Sequence, residues 1–255
     1  MSAKKFLKIS NLKLVTFDIT GTLLEPKLEL YPEIAYQHGI RLLNPEKLAP
    51  SWKQHFLFWS NEHPNYGKYS GLGWKNWWKH VVVNVFKDQN PEVPDEKLHQ
   101  IATTLIEQYS TKQGWHVLPG AVNILQYLNN QKIILGVISN FDKRLEPILI
   151  STGIRKYFSF IITSYDYGRE KPDVILFEKA LELVQQTRGE KITSLQALHI
   201  GDNLKLDYDG AKNAGWNAFL MDPNSGDKLK SIPEFERFKN LHELQKYFEV
   251  SIVNK

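Results

Sequence analysis

Carboxylate, hydroxyl, amide and ammonium side chains follow the apolar segments of this sequence, in each case where the segment ends or in the turn after it. These residues are Asp18, Ser139, Asn140, Lys171, Asp202 and Asp207. In an open parallel sheet, ligands bind beyond the carboxyl ends of the strands, so we expect these side chains to converge at one edge of a sheet. Carboxylates, a hydroxyl and an ammonium in one place suit a hard divalent cation and a phosphate.

The charges suggest a division of labour. A carboxylate that attacks a phosphate dianion meets repulsion, which Mg²⁺ and cationic or hydrogen-bonding groups offset. We predict Asp18 as nucleophile and metal ligand, Asp202 as a second ligand, and Asp207 as a further ligand or an orienting group. Lys171 is predicted to neutralise charge and orient Asp18. The groups predicted to bind substrate are Ser139, Asn140, Gly21, Thr22 and the main-chain N–H groups that follow Asp18.

The elements that must position these residues are read from hydrophobic patterns. Apolar segments at residues 12–17, 133–139, 160–164, 197–201 and 217–221 predict buried parallel strands. Helical patterns at residues 121–129, 175–184 and 209–214 lie among them. The alternation predicts an α/β fold, with a doubly wound parallel Rossmann-like sheet covered by helices on both faces.

More than a hundred residues separate the first two predicted strands, far more than one crossover helix requires. Helical patterns at residues 31–38, 52–58, 74–86 and 95–110 predict an inserted all-helical module. We predict a core of residues 1–24 and 118–255 and a module of residues 25–117. Its tryptophans are expected to form a core rather than a pocket. The polar loop at residues 61–73 is the favoured source of substrate contacts.

The composition narrows the class of protein. The 255 residues contain no cysteine, which excludes disulfides and thiolate chemistry, and 24% are charged, as in ordinary globular proteins. No apolar run is long enough for a membrane span, and no secretory signal is evident at the N-terminus. A formal charge of +4 without a long like-charged run does not suggest nucleic-acid or membrane partners. We expect an intracellular, most simply cytoplasmic protein, as a monomer or weak homodimer, with a small phosphorylated molecule as its partner.

Four ordered motifs, FDITGT, ISN, GREKPD and HIGDNLKLDYDGAKNAG, resemble those of the haloacid dehalogenase-like hydrolase superfamily. The resemblance covers nearly the whole chain. It implies a Mg²⁺-dependent phosphatase that works through an aspartyl-phosphate on Asp18, with the main-chain carbonyl of Thr20 as a third protein ligand to the metal. It also implies that the helical insert is a mobile cap over the site.

One position departs from that pattern. The family's phosphatases carry a second aspartate two residues after the nucleophile, as acid and base, whereas this chain has Thr20. A threonine hydroxyl does not act as an acid or base near neutral pH. Loss of such an acid–base group typically lowers the rate by a factor of about 10² to 10⁴. Two hypotheses follow. The first is a hydrolase or phosphotransferase with slow or atypical turnover; the second is a catalytically impaired protein that binds a phosphorylated ligand or a protein partner.

Two other chemistries of the superfamily are less favoured. Its dehalogenases also lack the second aspartate, but they need no metal, whereas the acidic pair Asp202 and Asp207 suits Mg²⁺. Phosphonate cleavage would need a lysine of the cap to form a Schiff base, and nothing in the sequence marks Lys53, Lys75 or Lys79 as buried.

Overall fold

The computed structural model describes residues 7, 9–41, 44–223 and 232–253. The structure does not describe residues 1–6 and 8, which belong to the predicted core segment 1–24 and to the N-terminal stretch considered for a targeting signal. A six-stranded sheet is built from β1 (Leu14–Phe17), β4 (Ile134–Ser139), β5 (Phe160–Thr163), β6 (Ala197–Gly201), β7 (Asn217–Met221) and β8 (Arg237–Phe238). Its order is β5-β4-β1-β6-β7-β8, and every pairing is parallel.

Helices cover both faces of this sheet. They are α6 (Ala121–Asn130), α7 (Leu145–Ser151), α8 (Ser164–Tyr167), α9 (Ile175–Arg188), α10 (Gly210–Asn213) and α11 (Leu241–Val253). Along β1, Val15 and Phe17 pack with the cluster of α6, α7 and α11, while Leu14 packs with that of α9 and α10. Because alternate side chains of a strand point to opposite faces, each strand joins two cores. The predicted Rossmann-like α/β fold is confirmed.

The long segment between β1 and β4 contains a short antiparallel ribbon, β2 (Leu24–Pro26) with β3 (Trp115–Val117). Between these two strands the described residues form five α-helices: α1 (Leu30–Gln37), α2 (Leu48–Glu62), α3 (Pro64–Gly67), α4 (Gly73–Lys87) and α5 (Asp95–Gln108). They have a hydrophobic cluster of their own, with fully buried Trp77 at its centre. We refer to these five helices as the helical module.

The chain changes direction across the sheet next to β1. From β1 the chain goes to β4 and β5 on one side and then returns to β6 on the other. The carboxyl ends of β1, β4 and β6 are therefore neighbours, which is the arrangement that binds ligands in open α/β sheets. Among the described residues, no helix has the length and apolar character to cross a bilayer.

Candidate active site

The ammonium group of Lys171 lies between two carboxylates of the site, those of Asp18 and Asp207. Its Nζ donates to Asp18 Oδ1 at 2.6 Å, to Asp207 Oδ1 at 2.5 Å and to the carbonyl oxygen of Ile138 at 2.9 Å. All three protons of the ammonium are thereby used, and the side chain is almost completely buried. Although burial opposes the charge, the two carboxylates raise the pKa of Lys171 above its usual value. The ammonium is thus fixed between the ends of β1 and β6.

Asp18 follows β1 directly and is 8% exposed. Burial, together with the negative charge of Asp207, raises the pKa of Asp18, and the Lys171 ammonium and a hydrogen bond with Ser139 oppose that rise. Ser139 is the last residue of β4, the strand beside β1. The structure therefore brings together Asp18, Ser139 and Lys171, as the sequence suggested.

Asp207 is held by groups from three directions. Besides Lys171, it accepts a hydrogen bond at Oδ2 from the main-chain N–H of Asn203 at 2.9 Å, and His199 Nε2 lies 3.2 Å from Oδ1. Burial acts to raise the pKa of Asp207, but the charge of Lys171 and the contact with His199 hold it below the usual range. A π-helical turn, Leu204–Asp209, returns this carboxylate to the end of β6.

Asp202 is the exposed member of the acidic group. Oxygen atoms of Asp18, Asp202 and Asp207 lie within 4.8 Å of one another. Desolvation and the charges of the other two carboxylates raise the pKa of Asp202 to about 7. Three oxygen ligands this close suit an octahedral Mg²⁺, whose ligands lie about 2.0–2.1 Å from the ion. The donor set therefore fits the metal that the sequence suggested.

Some main-chain groups of the turn after Asp18 form hydrogen bonds within the turn, and others are left for a ligand. The N–H of Gly21 donates to Leu24 O and that of Thr22 to Ile19 O, so the turn itself uses two of the amides predicted for phosphate. The N–H groups of Ile19 and Thr20, and the carbonyl oxygen of Thr20, have no hydrogen-bond partner in the described part of the chain. These three groups remain available to a phosphate and a metal.

Thr22 corrects a prediction. Its side chain is 1% exposed, its hydroxyl is buried without a hydrogen bond, and it does not line the cavity described below. The turn points this side chain into the protein, so we do not assign it to substrate. Gly21 acts through its lack of a side chain: φ is +76°, and a Cβ would lie 2.4 Å from Asp202 Oδ2.

Asn140 lines the cavity described below, but its side-chain amide is hydrogen-bonded to Lys171. Its Nδ2 donates to Lys171 O at 3.0 Å, and its Oδ1 accepts from Lys171 N at 2.7 Å. The carbonyl of Asn140 accepts a hydrogen bond from the hydroxyl of Tyr66 in α3, at 2.7 Å. The side chain predicted to bind substrate thus positions Lys171, and its main chain docks the helical module.

A cavity of about 510 Å³ opens onto these groups and extends between the core and the helical module. Asp18, Thr20, Lys171, Asp202 and Asp207 lie at one end. The module contributes Asn65 and Tyr66, from the segment that the sequence favoured for substrate contacts, and also Trp52 and Trp78. Trp77 is fully buried in the core of the module, as expected, while Trp52 and Trp78 pack against that core and also line the cavity.

Two residues that line the cavity, Arg144 and Glu170, were not anticipated from the sequence, and neither was Asp142, which pairs with Arg144. Arg144 is 5% exposed and pairs with fully buried Asp142, which also accepts a hydrogen bond from Trp78 Nε1 at 2.7 Å. Glu170 lines the cavity, and burial raises its pKa, opposed by a hydrogen bond from the main chain of Asn65. Asp142 and Arg144 stand directly after the ISN motif, so their position was the available signal.

The three lysines considered for a Schiff base are elsewhere. Lys53 and Lys75 are exposed, Lys79 is half-buried, and none of the three lines the cavity.

Comparisons with known proteins bear on the family and the fold of this chain. A model of the haloacid dehalogenase-like hydrolase family matches residues 12–215. The rhythmically expressed gene 2 protein of Drosophila melanogaster is 36% identical over 85% of each chain. The human haloacid dehalogenase-like hydrolase domain-containing protein 3 is 35% identical over 82% of each. The magnesium-bound crystal structure of the HAD-hydrolase YfnB from Bacillus subtilis superposes with a TM-score of 0.68 at 20% identity, covering 93% of this chain and 99% of that one. This chain belongs to the haloacid dehalogenase-like hydrolase family.

Proposed function

We propose that the protein is a Mg²⁺-dependent phosphoryl hydrolase or phosphotransferase that acts on a small organic phosphate through an aspartyl-phosphate on Asp18. The observation that carries this proposal is the ammonium of Lys171, bonded at once to Asp18 and Asp207, with the carboxylate of Asp202 within 4.8 Å of theirs. Such a group holds the nucleophile in place and leaves its carboxylate able to approach a phosphate dianion. The helical module is proposed to act as the cap.

The steps follow from the arrangement of the residues. A carboxylate oxygen of Asp18 attacks phosphorus, a new P–O bond forms, and the bond from phosphorus to the leaving oxygen breaks. Ser139 and the N–H groups of Ile19 and Thr20 donate to the phosphate oxygens. Asp18, Asp202, Asp207 and the carbonyl of Thr20 would hold Mg²⁺, which supplies charge neutralisation at the transferring phosphoryl group.

Both halves of the reaction lack the aspartate that transfers protons in the family's phosphatases. The leaving oxygen takes a proton, and a water molecule must later lose one to attack the acyl phosphate. Thr20 is exposed at the position where the family's phosphatases carry the second aspartate, but its hydroxyl does not act as an acid or base near neutral pH. We therefore expect formation of the aspartyl-phosphate to outpace its hydrolysis. The observation of Thr20 also favours the second candidate, a catalytically impaired protein that binds a phosphorylated ligand.

A burst experiment separates these candidates. The protein is mixed with Mg²⁺ and an activated aryl phosphate, and release of the phenol and of inorganic phosphate is followed separately. A burst of phenol, absent in Asp18→Asn, is expected, followed by slow phosphate release. Thr20→Asp should raise the steady rate by about 10²-fold or more, because it restores a proton-transfer group. Absence of a burst together with no gain in Thr20→Asp would exclude the enzyme.

A further inference from the structure

The cavity is much larger than the reaction needs. Its volume of about 510 Å³ lies within the range typical of pockets that enclose whole organic ligands. The charged groups that would bind the phosphate and metal occupy one end of it. The remainder is lined mainly by aromatic rings, among them Trp52, Phe56, Tyr66, Trp78, Trp115 and Phe141. The shape and chemistry of this part of the cavity must match the alcohol portion of the phosphate ester, which is released when the phosphate is transferred.

Several of these rings are nearly parallel. The centroids of Trp52 and Phe56 are 5.0 Å apart with planes inclined by 16°, and those of Trp52 and Trp78 are 6.2 Å apart with planes inclined by 28°. Tyr66 stacks on Trp78 at 6.1 Å and 28°. We call Trp52, Phe56, Tyr66 and Trp78 the aromatic wall. Flat rings pack favourably in offset stacks, so a wall of this kind suits a flat ligand.

Arg144 adds one polar group beside the aromatic wall. Its guanidinium carbon lies 4.7 Å from the ring centroid of Trp78, and its Nε and Nη2 donate to Asp142 at 2.9 and 2.7 Å. Nη1 donates to no side chain or carbonyl in the part of the chain that the structure describes. Because Asp142 neutralises its charge, the guanidinium suits a hydrogen-bond acceptor, such as a ring carbonyl, without requiring an anion.

Sugar phosphates fit this lining poorly. A sugar needs several hydrogen-bonding partners, and burying its hydroxyls without them is costly. Among polar lining residues away from the phosphate end, the amide nitrogen of Asn65 already donates to Ser164 O at 2.9 Å, and both amide atoms of Asn140 are engaged by Lys171. In the described part of the chain, the polar groups left for a ligand include Asn65 Oδ1, Ser60, Glu170 and Arg144 Nη1, and the apolar lining residues outnumber them.

We propose that the substrate is a phosphate monoester whose alcohol is a flat aromatic ring system carrying a hydrogen-bond acceptor, with the ring against the aromatic wall and the acceptor on Arg144. This inference rests on the proposed function, since it names the substrate class of the same site. The aromatic wall then sets specificity, and the acidic end of the cavity carries out the chemistry common to all substrates.

Binding is measured without turnover to test this. Asp18→Asn with Mg²⁺ is titrated calorimetrically with 4-methylumbelliferyl phosphate, a flat bicycle with a ring carbonyl, with 2-naphthyl phosphate, a flat bicycle without one, and with glycerol 3-phosphate. We expect the umbelliferyl ester to bind at least about tenfold more tightly than glycerol phosphate, as stacking on aromatic side chains allows. The naphthyl ester should fall between them. Equal affinities for the three esters would overturn the proposal.

Variants in the same Asp18→Asn background locate the effect. Trp52→Leu keeps an apolar side chain but removes the ring, and should weaken both aryl esters about tenfold while leaving glycerol phosphate unchanged. Phe58→Ala is the matched control, because Phe58 is on the same helix, is 53% exposed and does not line the cavity. Arg144→Lys should remove the advantage of the umbelliferyl over the naphthyl ester. An equal loss in Phe58→Ala and Trp52→Leu would contradict the assignment.

The result is separable from the fate of the proposed function. Selective binding of the aryl esters, with neither a burst in the native protein nor a gain of turnover in Thr20→Asp, would support this inference and refute hydrolysis. A burst accompanied by equal binding of all three esters would refute this inference and leave the hydrolase intact.

Discussion

At the scale of single residues, the proposed chemistry depends on the groups around Asp18 that are not engaged in hydrogen bonds within the protein. The sequence identified Asp18, Ser139, Lys171, Asp202 and Asp207, and the structure brings all five together, because the carboxyl ends of neighbouring parallel strands meet. Which amides of the turn are free could not be predicted. That depends on hydrogen bonds inside the turn. A rotation of one peptide decides whether its N–H can donate to a bound phosphate or donates to a carbonyl of the turn.

Gly21 provides a prediction at this scale. Gly21→Ala places a Cβ 2.4 Å from Asp202 Oδ2 at a backbone φ of +76°. The left-handed conformation alone costs about 1–2 kcal/mol for a residue with a side chain. The clash should also displace Asp202, and we expect the affinity for Mg²⁺ to fall at least about tenfold, measured by calorimetric titration.

Gly71→Ala is the control for this prediction. Gly71 has the same φ of +76°, but a Cβ there would meet nothing within 4 Å. Its unfolding free energy should fall by a similar backbone cost, with Mg²⁺ affinity unchanged. If both variants bind Mg²⁺ like the native protein, the close approach of Gly21 to Asp202 has no role in metal binding.

At the scale of elements, period and composition predicted the main strands and helices but not how they end. The helix expected at residues 209–214 is present as α10 (Gly210–Asn213), but a π-helical turn at Leu204–Asp209, which the sequence did not predict, precedes it. Asn203 caps that turn by accepting from two main-chain N–H groups, which competes with a regular helix. Strand β8 has two residues, too few for any alternation to be visible.

The tryptophans show a second limit at this scale. Trp77 and Trp78 are adjacent on α4, and both belong to its apolar face, yet Trp77 is fully buried while Trp78 lines the cavity. Periodicity identifies the face that avoids water. It does not distinguish a face that packs on another helix from one that borders a ligand cavity, because both are apolar.

The link between α4 and the loop after β4 gives a prediction for elements. Asp142 is fully buried and binds both Arg144 and Trp78. Asp142→Asn leaves the buried guanidinium without its counter-charge, which should lower the unfolding free energy by about 3–5 kcal/mol in urea titrations. Glu146→Gln removes an exposed pair with Arg155, at 2.9 Å, and should cost at most about 1 kcal/mol. Similar losses in the two variants would show that the buried Asp142–Arg144 pair contributes no more to stability than an exposed pair.

At the scale of the whole molecule, an inserted module with its own hydrophobic cluster encloses the reactive edge of a parallel sheet. The length of the segment between the first two strands predicted the insertion, and the four motifs predicted the family. The cavity between the two parts depends on contacts far apart in the chain, such as Tyr66 with Asn140 and Asn65 with Ser164. No local pattern encodes such contacts, so the sequence alone left the substrate class open.

The same arrangement makes the stability of the whole protein depend on metal and pH. The folded protein raises the pKa of Asp202 to about 7, from a usual value of 3.8. Between these values the folded state holds this proton more firmly than the unfolded state, so the contribution of Asp202 to stability falls as the pH rises from 4 to 7. Mg²⁺ binds the ionised carboxylates, so it should raise the melting temperature more at pH 8 than at pH 6.

Asp202→Asn should separate repulsion from metal binding, because it changes the two in opposite directions. Without metal at pH 8, this variant should melt at a higher temperature than the native protein, since one of three carboxylates within 4.8 Å has lost its charge. With Mg²⁺, its melting temperature should not rise, since a ligand is missing. Asp209→Asn, an exposed acid outside the cavity, should behave like the native protein in both conditions. A Mg²⁺-dependent rise in Asp202→Asn equal to that of the native protein would show that the ion binds elsewhere.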